Sequence, residues 1–343
     1  MRAVVCAKPG GLDALQLRDV ASPEPKAGEV VVNVRACGLN RLDLMIRGGQ
    51  IPAEPWPHIC GAEVAGEIGA LGEGVVGLNV GDRVAVAPYL CCGRCEFCLA
   101  GQETTCLRAD VLGTKSQGGY AEQVVAPASQ IVAMPDGLSF VDAAAVTLAT
   151  LTAWHMLRTQ AELRPGETVL VQAAGSGVGS AAIQIARLTG AEVIATASSD
   201  AKLAKAQALG AFAGINYDTT PVAAEVRRLT GKRGVDVVVE HVGTATWADS
   251  ISSLARNGRL VICGTTTGRH AEQDLWQLFA KQLRLIGSYG GTRRELADVL
   301  RLTASGALRA VVDQTYPLQG AAEAQRRLEG REQFGKLVLV PRS

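Results

Sequence analysis

A glycine-rich turn between an apolar strand and a helix constrains the fold of this chain more than any other segment. The strand Thr168–Gln172 runs into AAGSGVG at 173–179, and a helix is predicted over Ser180–Thr189. Glycines in such a turn let backbone N–H groups approach a pyrophosphate, and the helix N-terminus adds its positive dipole. The G-x-G-x-x-G spacing is incomplete, because Ala174 and Ser176 stand at the first two glycine positions. The strand–turn–helix context still predicts a dinucleotide site at Gly175, Ser176, Gly177, Val178 and Gly179.

The predicted secondary structure changes along the chain, from short strands to alternating strands and helices. Before about residue 130, short β-branched runs such as EVVVNVRACG and GDRVAVAP alternate with glycine and proline, which predicts a mostly antiparallel barrel or sandwich. From Pro135 onward, apolar strands alternate with helical periods, which predicts a parallel sheet covered on both faces. The final segment FGKLVLVPR again has the pattern of a short strand. The fold class is therefore α/β plus β, with a β domain over 1–128 and 288–343 and a parallel-sheet domain over 129–287.

Four cysteines, Cys92, Cys95, Cys98 and Cys106, stand at spacings x2, x2 and x7 in CGRCEFCLAGQETTC. Each short spacing brings two sulfurs close enough for one ion, and four thiolates fill a zinc tetrahedron without leaving a position for water or substrate. An iron–sulfur cluster also takes four thiolates, but the compact single-loop spacing favours zinc. We therefore predict one structural zinc ion, held in a lobe over about 91–107.

Composition narrows the possible partners. The chain begins MRAVVCAKPG, which is unlike a secretory leader, and no run approaches the ~18 apolar residues of a membrane span. We expect a cytoplasmic location, where clustered cysteines bind metal rather than form disulfides. The net charge of +1 and the aromatic content of 4% indicate neither a nucleic-acid partner nor a membrane surface. A small-molecule substrate is the expected partner.

These features together resemble the medium-chain dehydrogenase/reductase superfamily, which includes zinc alcohol dehydrogenases and quinone reductases. The resemblance covers essentially the whole chain. It is carried by RACGLNRLD at 35–43, GAEVAGEIGALGEGV at 61–75, VGDRV at 80–84, the cysteine lobe, GGYAE at 118–122, AAGSGVGSAAIQIA at 173–186 and GKLVL at 335–339. It implies a GroES-like catalytic domain with the zinc lobe, a Rossmann doubly wound cofactor domain, and a homo-oligomer, either a dimer or a tetramer.

Departures from the family pattern decide the chemistry. In the zinc alcohol dehydrogenases that the chain resembles, a catalytic zinc takes a Cys, a His from a Gly-His-Glu run, and a further Cys or carboxylate. Cys37 and Glu63 match this pattern, but Ala62 stands at the His position and Leu148 at the later Cys position. An open three-ligand site, which catalytic zinc needs, cannot be built from this pattern.

The segment after the second strand of the cofactor domain, Glu192–Thr196, indicates which dinucleotide binds. An NAD site usually carries an acidic residue there for the ribose 2′-hydroxyl. This chain has Ser198 and Ser199, followed by Lys202, and we interpret Asp200 as a helix N-cap. Hydroxyl and ammonium groups would accept a 2′-phosphate, which predicts NADPH.

Further cofactor contacts are predicted at the ends of the other strands and from the resemblance. The pairs Val242-Gly243 and Gly264-Thr265 follow strands at the edge where a dinucleotide crosses a doubly wound sheet. The resemblance implies that Tyr217 lies beside the 2′-phosphate and that Thr152 contacts the nicotinamide. Lys336 is either a further cofactor contact or a solvated lysine at a strand edge.

Three polar residues are candidates for the reaction itself. Asn40 falls where relatives without catalytic zinc place a polar residue near the substrate carbonyl, and its alternative role is to stabilise a turn. Asp43 is a candidate for orienting Asn40 or for capping the helix that follows. Tyr89 beside the zinc lobe is a candidate proton donor, or else a partly buried structural tyrosine.

The favoured function is NADPH-dependent reduction of an activated C=C bond, in an enone, an enoyl thioester or a quinone, without catalytic zinc. Hydride adds conjugately to such a substrate, and the developing enolate needs only hydrogen bonds. Two alternatives remain open. An NADP-dependent alcohol dehydrogenase would need a shifted zinc site of Cys37, His58 and Glu63. A non-catalytic NADPH-binding protein would have the cofactor site but no dedicated substrate.

Overall fold

A computed structural model describes residues 1–341 of the chain. It divides into two compact units, one formed by Met1–Leu151 with the segment from Gly291 onward, and the other by Thr152–Gly290. The first unit reaches 23 residues beyond the predicted boundary at 128, because the helix Phe140–Val146 packs against the strands Glu29–Gly38 and Glu63–Leu71. The boundary was predicted from the change in sequence pattern, and that pattern does not show that this helix packs on the β-sheet of the first unit.

The regular elements are numbered in chain order. The strands are β1 Arg2–Cys6, β2 Leu15–Asp19, β3 Glu29–Gly38, β4 Glu63–Leu71, β5 Arg83–Val86, β6 Tyr89–Leu90, β7 Asp110–Val111, β8 Gln123–Pro127, β9 Ile131–Ala133, β10 Thr168–Val171, β11 Glu192–Ala197, β12 Ala213–Asn216, β13 Val235–Glu240, β14 Leu254–Ile262, β15 Arg284–Gly287, β16 Val312–Pro317 and β17 Lys336–Val340. The α-helices are α1 Arg41–Arg47, α2 Glu96–Leu99, α3 Phe140–Val146, α4 Ala149–Trp154, α5 Gly177–Leu188, α6 Asp200–Ala208, α7 Val222–Leu229, α8 Trp247–Ser253, α9 Leu275–Ala280, α10 Arg293–Ala304 and α11 Ala321–Glu329. A π-helical segment, His155–Gln160, follows α4.

The first unit is built on a mostly antiparallel sheet with the order β16-β17-β3-β4-β5-β9, and β8 also pairs with β3. Only β16 and β17 run parallel within it. β17 lies against β3 through Val338↔Gly38 and Leu339↔Cys37, so the last strand of the chain joins the first unit. Alternate residues of β3, including Val30, Val32 and Val34, are buried in the core of this unit. This register brings the start of β17 next to the end of β3, where the polar candidates stand.

The second unit is a six-stranded parallel sheet with the order β12-β11-β10-β13-β14-β15. Its strands follow the 3-2-1-4-5-6 order of a doubly wound dinucleotide-binding fold. β10 and β13 are almost entirely buried, as expected of central parallel strands covered by helices on both faces. The predicted doubly wound parallel sheet is therefore confirmed.

Among residues 1–341, no single helix is long and apolar enough to cross a membrane. The bent pair Phe140–Val146 and Ala149–Gln160 meets the length and composition criteria only when its two parts are taken together.

Candidate functional site

The glycine-rich turn follows β10 as predicted, but its helix begins three residues earlier than expected. Ser176 is the N-cap of α5, and its Oγ accepts the N–H of Gly179 at 2.8 Å. A Cβ atom on Gly179 would lie 2.4 Å from the carbonyl oxygen of Ala173, so only glycine lets the helix approach the strand this closely. Because the cap is a serine rather than a glycine, the helix gains a side-chain partner and starts at Gly177. The turn and the N-terminus of α5 fit the pyrophosphate of a dinucleotide.

The predicted residues at the ends of β13 and β14 come together beside this turn. A Cβ on Gly243 would lie 3.0 Å from the Cα of Thr265, and one on Gly264 would lie 3.1 Å from the carbonyl oxygen of His241. His241 Nε2 lies 3.3 Å from Ser176 Oγ and 3.0 Å from the carbonyl oxygen of Gln172. The second unit therefore gathers one continuous edge for the cofactor.

A buried carboxylate, that of Glu240, holds the backbone along this edge. Glu240 is fully buried and accepts the N–H groups of Val242 and Gly243 at 2.7 and 3.1 Å. It also accepts the hydroxyl groups of Thr246 and Ser250. These bonds hold the backbone that follows β13 in place.

Two of the residues predicted to bind the 2′-phosphate, Ser198 and Tyr217, directly follow β11 and β12, and the third, Lys202, lies in α6. The N–H of Tyr217 donates to the carbonyl oxygen of Ala197 at 3.1 Å, which places Tyr217 next to Ser198. Asp200 was predicted as the N-cap of α6, and this prediction is wrong. Ser199 is the N-cap, and its Oγ accepts the N–H of Lys202 at 3.4 Å. Asp200 instead is the first helical residue and accepts Asn216 Nδ2 at 3.0 Å. Thr152 lies in α4 and is buried.

The four predicted cysteines form one cluster. Their Sγ atoms all lie within 4.8 Å of one another, with 3.5 Å between Cys95 and Cys98 and 4.0 Å between Cys92 and Cys98. Sulfurs on a zinc tetrahedron with bonds of about 2.3 Å are about 3.8 Å apart, so the cluster fits the ion. Backbone hydrogen bonds from Cys98 and Leu107 lower the pKa of Cys95 to about 6, which favours the thiolate that zinc binds.

The lobe is closed at its base and tied to α10. β6 and β7 pair through Tyr89↔Val111, so they bring the two ends of the lobe together. Tyr89 is half-buried in this short ribbon. The N–H of Arg293 donates to Glu103 Oε2 at 3.0 Å, and its Nη1 donates to the carbonyl oxygen of Ser129. Arg293 thus begins α10 and anchors the lobe.

A buried ion pair forms the polar centre of the first unit. Lys336 Nζ lies 2.8 Å from Glu63 Oε2, and both side chains are almost completely buried. Nζ also donates to the carbonyl oxygen of Leu39 at 2.5 Å and to Asn40 Oδ1 at 2.8 Å. Lys336 is therefore not a solvated strand-edge lysine. Its ammonium group is also engaged by three oxygens of this unit, which does not support the predicted cofactor contact.

Glu63 is held on its other side by backbone. Its Oε1 accepts the N–H groups of Leu148 and Ala149 at 3.0 and 2.9 Å. Gly38 leaves the room for this arrangement, since a Cβ there would lie 1.9 Å from Glu63 Oε2. The position at which the family places a later Cys thus contributes a backbone N–H donor to a carboxylate.

Asp43 lies beneath Asn40 and holds its backbone. Its Oδ2 accepts the N–H of Asn40 at 2.7 Å and the hydroxyl of Tyr120 at 3.0 Å, and its Oδ1 accepts the N–H of Gly61 at 3.1 Å. Asp43 and Tyr120 are both fully buried. Burial raises the pKa of Asp43 to about 6, although the bonds from Asn40 and Tyr120 oppose this. Asn40 is the N-cap of α1, and Asp43, three residues further on, completes a capping box with it. Asp43 thus orients the backbone of Asn40, as considered from the sequence, and Asn40 itself has the turn-stabilising role that was its alternative.

The shifted zinc site is not formed. His58 is fully buried, with Nδ1 3.2 Å from the carbonyl oxygen of Pro55 and Nε2 2.9 Å from that of Gly113. Gly61 does make the turn that such a site would need, with a φ of +110°. Within residues 1–341, however, the Cys92–Cys106 cluster is the one group of three or more His, Cys, Asp or Glu side chains close enough to hold a metal. Burial raises the pKa of Cys37 well above its usual range.

Sequence reasoning missed two residues of this site and the N-cap role of a third. Tyr120 lies in the GGYAE segment, which was used only as a marker, and its hydroxyl contacts Asp43 across 77 positions of sequence. His241 directly precedes the predicted pair Val242-Gly243 and was not considered, yet its ring lies beside the turn after β10. Ser199 had the signal of an N-cap, a serine three residues before a helical lysine, but Asp200 competed for that role.

Comparisons with known proteins agree with this architecture. Residues 26–136 match the family described as the alcohol dehydrogenase GroES-like domain, and residues 177–305 match the zinc-binding dehydrogenase family. The chain is 34% identical to acryloyl-coenzyme A reductase of Metallosphaera sedula, over 99% of this chain and 100% of that protein. It is 36% identical to a quinone oxidoreductase of Pseudomonas aeruginosa, over 97% of both proteins. A solved structure of an NAD-dependent alcohol dehydrogenase superposes with a TM-score of 0.95 at 45% identity, over 99% of both chains.

The chain belongs to the zinc-type alcohol dehydrogenase family. The predicted GroES-like and Rossmann folds are thereby confirmed, and the protein is an oxidoreductase of the medium-chain dehydrogenase/reductase superfamily. Relatives within this family carry the names of reductases and of dehydrogenases alike. The substrate and the cofactor must therefore be argued from the residues of this member.

Zinc content tests the cysteine lobe of this zinc-type dehydrogenase. We expect elemental analysis to give about one zinc per chain, and Cys95→Ser to lose most of it, because three thiolates no longer complete the tetrahedron. The neighbouring Cys91→Ser is the matched control and should retain the metal. Two zinc ions per wild-type chain would contradict the single-site assignment.

The buried carboxyl of Asp43 predicts a pH dependence of stability. An unfolded aspartate ionises near pH 3.8 and folded Asp43 at about 6, so between these values only the folded state keeps the proton. The stability from protonated Asp43 is present below about pH 3.8 and is lost as pH rises through about 6. We expect the free energy of unfolding of the wild type, relative to Asp43→Asn, to fall by about 2–3 kcal/mol between pH 4 and pH 7. Urea denaturation measures this, with exposed Asp136→Asn as the control, and a difference that does not vary with pH would refute it.

Proposed function

We propose that this oxidoreductase transfers hydride from NADPH to an activated C=C bond of an enone, enoyl thioester or quinone, without a catalytic metal. The observation that carries the proposal is the donor set around Asn40. The carboxylate of Glu63 is occupied by Lys336 and by two backbone N–H groups. Asn40 Nδ2 is buried and has no hydrogen-bond partner among residues 1–341. The centre thus offers a hydrogen-bond donor rather than a set of metal ligands.

The chemistry follows from this donor. NADPH, when bound, would supply a hydride for the β-carbon of the conjugated substrate, whose C=C π bond breaks. The electron pair moves to the carbonyl oxygen, and the resulting enolate takes a proton from water at the α-carbon, whereas a quinone is protonated on oxygen to give the hydroquinone. The Nδ2–H of Asn40 donates to the oxygen as its negative charge develops. Acryloyl-coenzyme A, named in one relative, is an enoyl thioester, and quinones carry the same conjugated carbonyl.

Asn40→Ala tests the role of the donor. We expect kcat/KM for the best enone, quinone or enoyl thioester to fall about 100-fold, because one oxyanion donor contributes about 10²–10³ in rate. Exposed Asn79→Ala is the control. The assay follows NADPH oxidation spectrophotometrically over a panel that also includes primary and secondary alcohols with NADP⁺. Turnover of alcohols alone would overturn the proposal, and no turnover of any substrate would favour a non-catalytic NADPH-binding protein.

The proposed preference for NADPH rests on the three residues predicted to bind its 2′-phosphate, Ser198, Lys202 and Tyr217. Their hydroxyl and ammonium groups suit a 2′-phosphate, and the carboxylate of Asp200 accepts a hydrogen bond from Asn216. We expect Lys202→Ala to weaken NADPH binding about tenfold in a fluorescence titration and to leave NADH binding unchanged. Lys205→Ala, one turn further along α6, is the matched control. Equal affinity of the wild type for NADH and NADPH would show that the preference is wrong.

The protein is also proposed to form a homodimer through the second unit. β15 is the last strand of the six-stranded sheet, and α9 beside it exposes Leu275, Trp276 and Phe279 by 60–69%. An open strand edge beside large exposed apolar side chains is typical of an interface. Light scattering should give twice the chain mass, and Trp276→Glu should shift it toward the monomer. A wild-type monomer at ~10 μM would exclude the dimer. The thiolate lobe suits a reducing compartment such as the cytoplasm.

A further inference from the structure

The contacts of Lys336 settle the orientation of the Asn40 amide. An ammonium group has three donors and no acceptor, so the atom that faces Nζ at 2.8 Å must be the amide oxygen. The –NH₂ end of the same amide therefore points away from Lys336. That end is buried and has no hydrogen-bond partner among the residues described. A buried amide donor left without a partner costs free energy, so this –NH₂ has a hydrogen bond to offer.

We propose that Lys336 and Glu63 form a positioning pair, which holds the Asn40 amide with its –NH₂ toward the substrate carbonyl oxygen. This rests on the function proposed above and deepens it. Rotation of the amide by 180° would bring its N–H groups against the ammonium and would turn Oδ1 toward the developing enolate. Both contacts would then be repulsive. The lysine thus favours the productive one of two amide orientations, as does the backbone N–H of Asp43, which the Asn40 side chain accepts in the capping box of α1.

The pair itself is anchored on all sides. Glu63 Oε1 is fixed by the N–H groups of Leu148 and Ala149, and Nζ is also bound to the carbonyl oxygen of Leu39. The backbone N–H of Asn40 is held separately by Asp43. The amide is therefore restrained at both its backbone and its side-chain oxygen. Such preorganisation spares the reaction the cost of orienting the donor when charge develops.

Charge alone does not explain the arrangement. Glu63 lies 2.8 Å from Nζ and cancels most of its field at the distance of a substrate. The remaining effect of Lys336 is confined to Asn40: the ammonium group orients the amide and polarises it through Oδ1. The lysine should therefore act on the substrate only through Asn40, and this is a measurable distinction.

A double-mutant cycle between Asn40 and Lys336 tests this. kcat is measured at saturating NADPH and enone for the wild type, Asn40→Ala, Lys336→Met and the double variant. We expect each single variant to lower kcat at least 30-fold, the double variant to be less than threefold slower than Asn40→Ala, and the KM for NADPH to change less than threefold. Losses that multiply in the double variant would overturn the proposal, because Lys336 would then act independently of Asn40.

Folding must be separated from positioning, since Lys336→Met leaves the charge of Glu63 buried and unpaired. The variant Glu63→Gln/Lys336→Met removes both charges. We expect it to unfold within a few degrees of the wild type while its kcat stays at the level of Asn40→Ala. Recovery of full kcat in this folded variant would refute the positioning role.

Hydrogen exchange of the Asn40 side-chain amide tests the positioning pair without any enzymatic turnover. It can therefore fail or succeed independently of the proposed function. The chain has five asparagines, so ¹⁵N-asparagine labelling yields few side-chain amide signals, and Asn40→Ala assigns one pair. We expect the Asn40 –NH₂ pair to exchange slowly with solvent in the wild type and at least tenfold faster in Glu63→Gln/Lys336→Met. Asn33, whose Oδ1 accepts Gln123 Nε2, is the internal control. Protection without any reductase activity would keep the positioning pair and reject the function. Unchanged exchange would reject the pair whatever the activity.

Discussion

The ion pair between Glu63 and Lys336 is the interaction on which the first unit depends. It joins the first residue of β4 to the first residue of β17, which are 273 positions apart in the sequence. Two opposite charges, both nearly inaccessible to water, must stay together, because removing one would leave an uncompensated charge in the core. β17 is thereby locked beside β3, and the loop from Leu39 to Asn40 is held against the ammonium group.

Small residues make this packing possible. Gly38 has no Cβ, and so the carboxylate can lie against the end of β3. Gly61 adopts a φ of +110°, and a side chain there would meet the Tyr120 ring at 2.5 Å. Below these glycines, Asp43 connects Asn40, Gly61 and Tyr120 through hydrogen bonds. The polar centre is consequently a set of mutually dependent contacts in which each side chain has one available orientation.

The second unit holds a buried carboxylate with backbone and hydroxyl donors. Glu240 is fully buried, and its oxygens are satisfied by two backbone N–H groups and two hydroxyl groups. Hydrogen bonds to the charged form replace the water that burial removes. In both units, then, a buried carboxylate holds two backbone N–H groups in place. The cysteine lobe is built differently, by four sulfurs from a single loop.

Local features of the sequence determined the parts of this protein that need only neighbours along the chain. The cysteine spacing, the glycine-rich turn and the alternation of strands and helices each act within one short segment, so the cysteine cluster, the glycine-rich turn and the parallel sheet could be predicted. The residues Ala62 and Leu148, at two positions where the family has zinc ligands, could likewise be identified directly from the sequence.

Only the tertiary structure decided which side chains occupy the polar centre. Lys336 was ambiguous between cofactor and solvent because its partners, Leu39, Asn40 and Glu63, lie far away in sequence. The 58–63 segment was ambiguous because its turn could have brought His58 toward Glu63. Long-range pairing of β17 with β3 settled the first question, and burial of His58 against backbone carbonyls settled the second, since both depend on distances that no local pattern encodes.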